Sequence, residues 1–260
     1  MNDLETRRLH WPDLHNARDL GGLPTGDGGQ IRSMALIRTD NHDRLTNEGV
    51  AMLRESGVKR IVDLRSSWEA EKYPSPFRLE PEYVNQPLLD EADEHGQTLV
   101  YGAKTNLEIY KVMLERYSGL IGKAVIAIAN APIGGVVIHC HAGKDRTGLI
   151  AALALSIAGV EPSVIAEDYA ATDVFLSDHY AAELDAAKDE STREYLRPFQ
   201  NSSPEVMLET LGFLEEKFGS ITAYLLHSGV SQDSLGRLRQ RLRLKLMFAS
   251  VRARPRVRRR

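Results

Sequence analysis

The stretch VVIHCHAGKDRTGLIAALALSIAG, residues 136–159, constrains this chain more than any other. A short apolar β-branched run passes into a polar loop, and the loop into a long apolar segment that closes at Gly159. That order predicts a buried strand, a tight turn and a buried helix, and with them an α/β fold with a mainly parallel sheet. Cys140, the only cysteine of 260 residues, stands where strand gives way to loop, between His139 and His141. With 42% hydrophobic residues the chain has ample material for a core around this unit. A single cysteine precludes an internal disulfide, which suits a reducing compartment. No charged start with a following apolar run, and no apolar span long enough for a bilayer, is apparent. The expected location is the cytoplasm, or outside the cell without a recognisable signal peptide.

The remaining periodicities alternate short β-like runs with longer helical ones. Asp27-Gly28-Gly29 predicts a hairpin turn leading into a strand at about 33–37. A helix capped by Thr46 and ended by Gly57 should follow. Residues 58–64 and 82–89 read as strands, 90–97 as a loop and 106–130 as one long amphipathic helix stopped before Pro132. Residues 134–140 form the strand before the cysteine loop. Beyond Pro162 the pattern is helical throughout: 162–173, 177–189, 204–217, 219–227 and 231–248, the last with Leu235, Leu238, Leu242 and Leu246 on one face. The polar middle, 174–203, reads either as a lid over a site or as a tolerated surface insertion. No Pro/Gly/Ser linker divides the chain, so residues 1–250 are expected to form one domain.

Charge is unevenly spread. Residues 237–260 hold 11 of the 33 Lys and Arg and none of the 36 Asp and Glu, so an acidic body ends in a basic tail. The tail, 251–260, reads as a solvated disordered end; the rival reading is contact with an anionic lipid, nucleic acid or acidic protein surface. No nucleic-acid partner is expected for the body.

Residues 140–146, CHAGKDR, set a cysteine six positions before an arginine between strand and helix. Successive backbone N–H groups of such a loop can converge on an anion, with the positive end of the next helix beneath it. The same field stabilises a thiolate, which makes Cys140 a nucleophile toward phosphorus. Arg146 offers a planar fork for two phosphate oxygens, and Gly143 the torsion that closes the loop. His141, Ala142, Gly143, Lys144, Arg146 and Thr147 are the expected phosphate contacts. Thr147 is also placed to donate to the sulfur, and His139 to brace the loop. A nucleotide-binding Walker loop fails at Ile138 and Asp145, and His139, Cys140 and His141 on one strand end cannot converge on a metal.

HCHAGKDRTG, 139–148, resembles the signature of the cysteine-dependent tyrosine phosphatases of bacteria. The resemblance extends to NARDLGG at 16–22, LIRTD at 36–40, RIVDLRSSWEAE at 60–71 and FGSITAYLLHSGVSQDSLGRLRQRL at 218–242, so it covers most of 14–245. Ala17, Thr39 and the stretch 174–203 depart from the pattern. The resemblance implies a tyrosine-phosphatase-like fold and phosphomonoester hydrolysis without metal or cofactor, with Cys140 attacking phosphorus and Arg146 holding the phosphoryl group. It implies Asp145 as the acid that protonates the leaving group, with Asp63 in reserve; the competing role for Asp63 is a strand-end carboxylate bonded to Arg65. Lys144 implies acceptance of phosphoinositides as well as phosphoproteins, or else a structural salt bridge. Arg18 and Asp19 are expected to hold the N-terminal segment near the loop, with direct phosphate contact as the alternative, and Arg38 carries the same two readings. A phosphatase for a small soluble ester and a non-catalytic phosphate-binding module are the alternatives.

Overall fold

The computed structural model describes residues 4–244, so Leu246 and the basic tail lie outside the described residues. A short helix α1 (Leu4–Arg7) leads to strand β1 (Arg18–Asp19) and then β2 (Leu36–Thr39). The turn at 25–29 forms as read, with Thr25 N–H donating to the Gly29 carbonyl at 2.9 Å and Gly28 at φ +81°. The strand after it starts later than its pattern suggests, because Met34 turns to φ +58° where its N–H donates to Asp19. Helix α2 (Asn47–Glu55) is capped by Thr46, whose hydroxyl accepts from Gly49 N–H, and β3 (Val58–Asp63) follows.

Helix α3 (Ser67–Lys72) opens with a capping box between Ser66 and Glu69. Strand β4 keeps only Tyr83–Asn85 of the predicted run. The acidic stretch read as a loop starts helix α4 (Glu94–Gly102) instead, since Asp93 accepts from Gly96 N–H as an N-cap. The predicted single helix over 106–130 is two, α5 (Asn106–Arg116) and α6 (Ser118–Ala129). Tyr117 between them leaves helical torsions at φ −112°, ψ 25° with its ring buried.

Strand β5 (Gly135–His139) runs into the cysteine loop and helix α7 (Asp145–Ala158), which Gly159 ends in the left-handed region at φ +88°. Helices α8 (Pro162–Phe175), α9 (Ser177–Asp185) and α10 (Glu190–Leu196) follow, then α11 (Pro204–Phe218), α12 (Ile221–His227) and α13 (Gln232–Leu242). Neither α9 nor α10 contains a buried residue. On α13 the leucine stripe is buried as expected at Leu235, Leu238 and Leu242.

The sheet order is β1-β2-β5-β3-β4, antiparallel only between β1 and β2. Strand residues alternate between two apolar layers, as a period of two requires. Leu36, Val62, Val136 and Ile138 face a large layer built on α5 to α8 and α11 to α13, whereas Ile37, Ile61 and Val137 face a smaller one with Trp11, Val50, Leu53 and Phe77. Each such side chain taken out of water contributes about 1.5–3 kcal/mol. Helix α7 is buried on almost every side, so the loop is carried on an element embedded in the core. Thr39 and Asp63, at the ends of β2 and β3, both pair with His139 at the end of β5. Three parallel strands therefore end together beneath Cys140, the position where open α/β sheets bind ligands. Among the described residues no helix is long and apolar enough to cross a membrane.

Candidate active site

The loop from Cys140 to Lys144 is held by its carbonyls. Cys140 O accepts from His139 Nδ1 at 3.2 Å, His141 O from Asn41 N–H at 2.8 Å and Ala142 O from Asn16 Nδ2 at 2.9 Å. Arg38 Nη2 donates to Gly143 O at 2.7 Å and to Lys144 O at 3.3 Å. With five successive carbonyls bound outward, the loop amides are left to converge on the inside. Gly143 is required there: its φ is +69°, and a Cβ would lie 2.4 Å from Thr39 O. Cys140 is only 2% exposed, at the floor of this ring.

Arg38 is fixed in turn by a buried hub. Asp168 of α8 receives Arg38 at 3.0 Å, Arg7 at 2.7 Å and Arg18 at 3.2 Å. Burial opposes the Asp168 carboxylate, but Arg18, Arg38 and Arg7 outweigh it and hold the group well below the usual carboxylate range. Burial, then the neighbouring Arg38 charge, brings Arg18 down to about 9. Removing one partner from such a cluster costs about 3–5 kcal/mol, so the hub is a firm anchor. Arg18 thus acts on the loop through Asp168 and through Asn16, whose Oδ1 it also holds. The Asp19 carboxylate sits apart from the hub, accepting from Gly21 N–H, Ser33 Oγ and Met34 N–H, while its backbone carbonyl accepts from Arg7 at 3.2 Å.

Asp63 lies fully buried in a two-pronged pair with Arg65 and accepts from Tyr83 at 2.6 Å. Burial opposes its charge, and His139, Arg65 and Tyr83 outweigh it, holding the carboxylate well below its usual range. A carboxylate held ionised by these partners cannot deliver a proton, which favours the strand-end role over the reserve acid. His139 stacks on His42 at 4.0 Å, and burial lowers both below the ordinary imidazole value. Thr147 Oγ1 is buried with no hydrogen-bond partner among the described residues, so the expected bond to the sulfur is absent.

Arg146 projects from the first turn of α7, where Nη2 binds Glu69 Oε1 at 2.9 Å and Nη1 binds Oε2 at 2.5 Å. Ser66 donates to the same carboxylate from its N–H and hydroxyl. Burial pushes Glu69 up, and Arg146 overcomes this to bring it down to about 2. Burial also opposes the Arg146 charge, which Glu69, Cys140 and Asp145 together more than restore. Asp145 opens α7 with its side chain one-third exposed, and its Oδ1 meets Tyr110 at 2.6 Å and Lys144 Nζ at 3.0 Å. Lys144 is thus in a salt bridge as well as in the loop. His141 is exposed, and its ring lies 5.6 Å from that of Tyr73.

A cleft of about 560 Å³ opens over Glu69, Asp145 and Arg146, with Trp68, Val100, Ile109, Met113 and Phe199 among its walls. A smaller depression of about 110 Å³ lies beside His141 and Ala142, lined also by Leu176 and His179. The stretch 174–203 therefore contributes walls on both sides of the loop, and Asn201 O accepts from Lys144 Nζ at 3.4 Å.

Glu69, Asn16, Asp168, Tyr110 and Tyr169 were absent from the sequence reading of the site. Glu69 carries a local signal, the S-x-x-E capping box of Ser66 to Glu69, and Asn16 is the first residue of the NARDLGG element.

A family model described as tyrosine phosphatase family matches residues 9–244. The chain is 29% identical over 228 residues to a tyrosine-protein phosphatase of Nostoc commune, covering 82% of this chain and 75% of that one. It is 27% identical over 278 residues to the triple specificity protein phosphatase PtpB of Mycobacterium tuberculosis, covering 88% of this chain and 96% of that one. The match runs from the N-terminal segment that braces the loop to the helix that closes the core, and the chain belongs to the tyrosine phosphatase family.

Proposed function

We propose that the protein hydrolyses phosphomonoesters through a cysteinyl-phosphate intermediate on Cys140, with phosphotyrosine in proteins as its principal substrate. The observation that carries this reading is that the carbonyls of 140–144 are all engaged by other residues beside a buried thiol, which leaves the amides of 141–146 and the N-terminus of α7 available to an anion. In the first half-reaction Sγ attacks phosphorus as a thiolate, the P–O ester bond breaks, and Asp145 gives its proton to the departing oxygen. In the second, Asp145 takes a proton from water as the water oxygen bonds phosphorus and the S–P bond breaks. Arg146 has five N–H donors, so it can keep Glu69 on Nη1 and Nη2 and still offer hydrogen atoms to the phosphoryl oxygens. Loop amides and Arg146 supply the charge stabilisation, and no step requires a metal or cofactor.

The apolar walls of the cleft suit an aromatic leaving group, which favours phosphotyrosine. Lys144 in the loop extends the reading to phosphoserine, phosphothreonine and phosphoinositides, and the relative from Mycobacterium tuberculosis carries triple specificity in its name. Hydrolysis of para-nitrophenyl phosphate in the presence of chelator tests the reading. The wild type should turn over, and Asp145→Ala should lose about 10²-fold or more on phenyl phosphate, where the leaving group needs a proton. An inactive wild type would bring the non-catalytic phosphate-binding alternative forward.

In the same reading, residues 174–203 act as a lid over the loop. Hydrogen peroxide should then inactivate a variant lacking 186–200 several times faster than the intact protein, because the thiolate loses its cover. Equal rates would sink the lid.

A further inference from the structure

The geometry points to Tyr110 as a positioning residue for the reaction: its hydroxyl, oriented by Tyr169, holds Oδ1 of Asp145 so that Oδ2 carries the proton to the leaving group. The inference rests on the reading of Asp145 as the acid and deepens it.

Tyr110 projects from α5 and is fully buried, and Tyr169 projects from α8 at 1% exposure. The two hydroxyls lie 2.6 Å apart, and Tyr110 Oη is 2.6 Å from Asp145 Oδ1. A carboxylate oxygen accepts, so Tyr110 donates to it, and the Tyr110 oxygen is then free to accept from Tyr169. The result is a chain of fixed direction, Tyr169 to Tyr110 to Asp145, of the kind in which each bond polarises the next. Burial, followed by the Asp145 charge, pushes the Tyr110 hydroxyl well above its ordinary value, so it keeps its proton at every working pH. It orients the carboxylate and takes no part in proton transfer.

Lys144 Nζ reaches the same oxygen, Oδ1, at 3.0 Å. Two donors on Oδ1 leave Oδ2 for the reacting proton. In the first half-reaction the Oδ2 proton passes to the ester oxygen as P–O breaks and S–P forms. In the second, water returns a proton to Oδ2 as S–P breaks. The Asp145 side chain is one-third exposed, and without the Tyr110 bond only Lys144 would hold it. Holding a reactive group in one orientation is the cheaper way to reach the transition state. Helix α5 also supplies Ile109 and Met113 to the cleft wall, so one element both shapes the substrate cleft and aims the acid.

The experiment is a series of aryl phosphates whose phenols span a range of acidity, assayed for kcat/KM with wild type, Asp145→Ala, Tyr110→Phe, Tyr169→Phe and the Tyr110→Phe/Tyr169→Phe double variant. Tyr110→Phe should lose about tenfold on phenyl phosphate, whose phenol has a pKa of about 10, and about twofold on the most acidic leaving group. Tyr169→Phe should lose less, in the same pattern, and the double variant should match Tyr110→Phe, because Tyr169 acts through it. A loss in Tyr110→Phe that is uniform across the series, or no loss, overturns the inference while leaving Asp145 as the acid, provided Asp145→Ala steepens the leaving-group dependence. If Asp145→Ala leaves that dependence unchanged, the acid assignment fails and the inference falls with it. Thermal unfolding of each variant separates these outcomes from misfolding: a folded Tyr110→Phe is required, and Tyr169→Phe supplies the same pattern test at a second site.

Discussion

Cys140→Ser is expected to lose turnover by on the order of 10⁴-fold or more on every phosphomonoester, the scale seen when a nucleophile is removed from a catalytic unit. The substitution exchanges sulfur for a smaller oxygen at a site that is 2% exposed, so the fold should be retained. The difference is chemical: the proposed covalent step uses the sulfur of Cys140 as nucleophile, and a serine hydroxyl in its place is a far poorer one. Because the carbonyls of 140–144 are bound by Asn16, Arg38, Asn41 and His139, the ring should persist in the variant. Inorganic phosphate should bind Cys140→Ser as well as it binds the wild type, measured by calorimetry, with an unchanged unfolding midpoint. Residual activity within tenfold of the wild type would contradict the thiolate mechanism; lost phosphate binding would show that the ring itself had collapsed.

Arg146→Lys is expected to lose about 10³-fold in kcat/KM, although the charge is kept. Lysine is a point charge without the planar fork, so it cannot hold Glu69 and two phosphoryl oxygens together. Arg146→Lys also strands Glu69, whose ionised carboxylate is held by that guanidinium and by Ser66. The double variant Arg146→Lys/Glu69→Gln separates the two effects. Relief of the stranded carboxylate should restore stability but little activity, because the missing element is the fork. The Glu69 value is lowered from 4.5 to about 2, so the pair's stabilisation is complete above the ordinary carboxylate range and is lost only as pH falls toward 2. The pair is intact across any practical assay range, and an acid limb seen near pH 5 belongs to another group. A loss in Arg146→Lys below tenfold would place the phosphoryl group elsewhere.

The parts of this molecule that could be read from sequence are those set by neighbours in the chain. The strand before Cys140, the helix after it and its end at Gly159 follow from a buried apolar run and a residue free to turn left-handed. The Thr46 cap and the 25–29 turn are equally local. Two elements run against the residue pattern: Tyr117, with its ring buried, breaks a periodicity that otherwise continues through 106–130, and Asp93 caps a helix inside an acidic, glycine-containing stretch of loop composition. In the site, the loop residues were legible because one motif holds them. Their supports were not, because Asp168 lies 130 residues or more from Arg7, Arg18 and Arg38, and Tyr110 lies 35 from Asp145. Pairings over such distances are decided by packing, and single-sequence patterns carry no record of them. Asp63 shows the reverse, since its bond to Arg65 two positions on was the local alternative and is the one found.

The most direct test of the account is to quench the enzyme during turnover of ³²P-labelled para-nitrophenyl phosphate and ask what carries the label. Wild-type protein should hold phosphate on a peptide containing Cys140, with the acid stability and iodine lability of a thiophosphate ester. The label should accumulate further in a variant slowed in the second half-reaction, Asp145→Ala, and should be absent from Cys140→Ser. Turnover with no label on Cys140 in any variant, or a label on another residue, would contradict covalent catalysis by this cysteine.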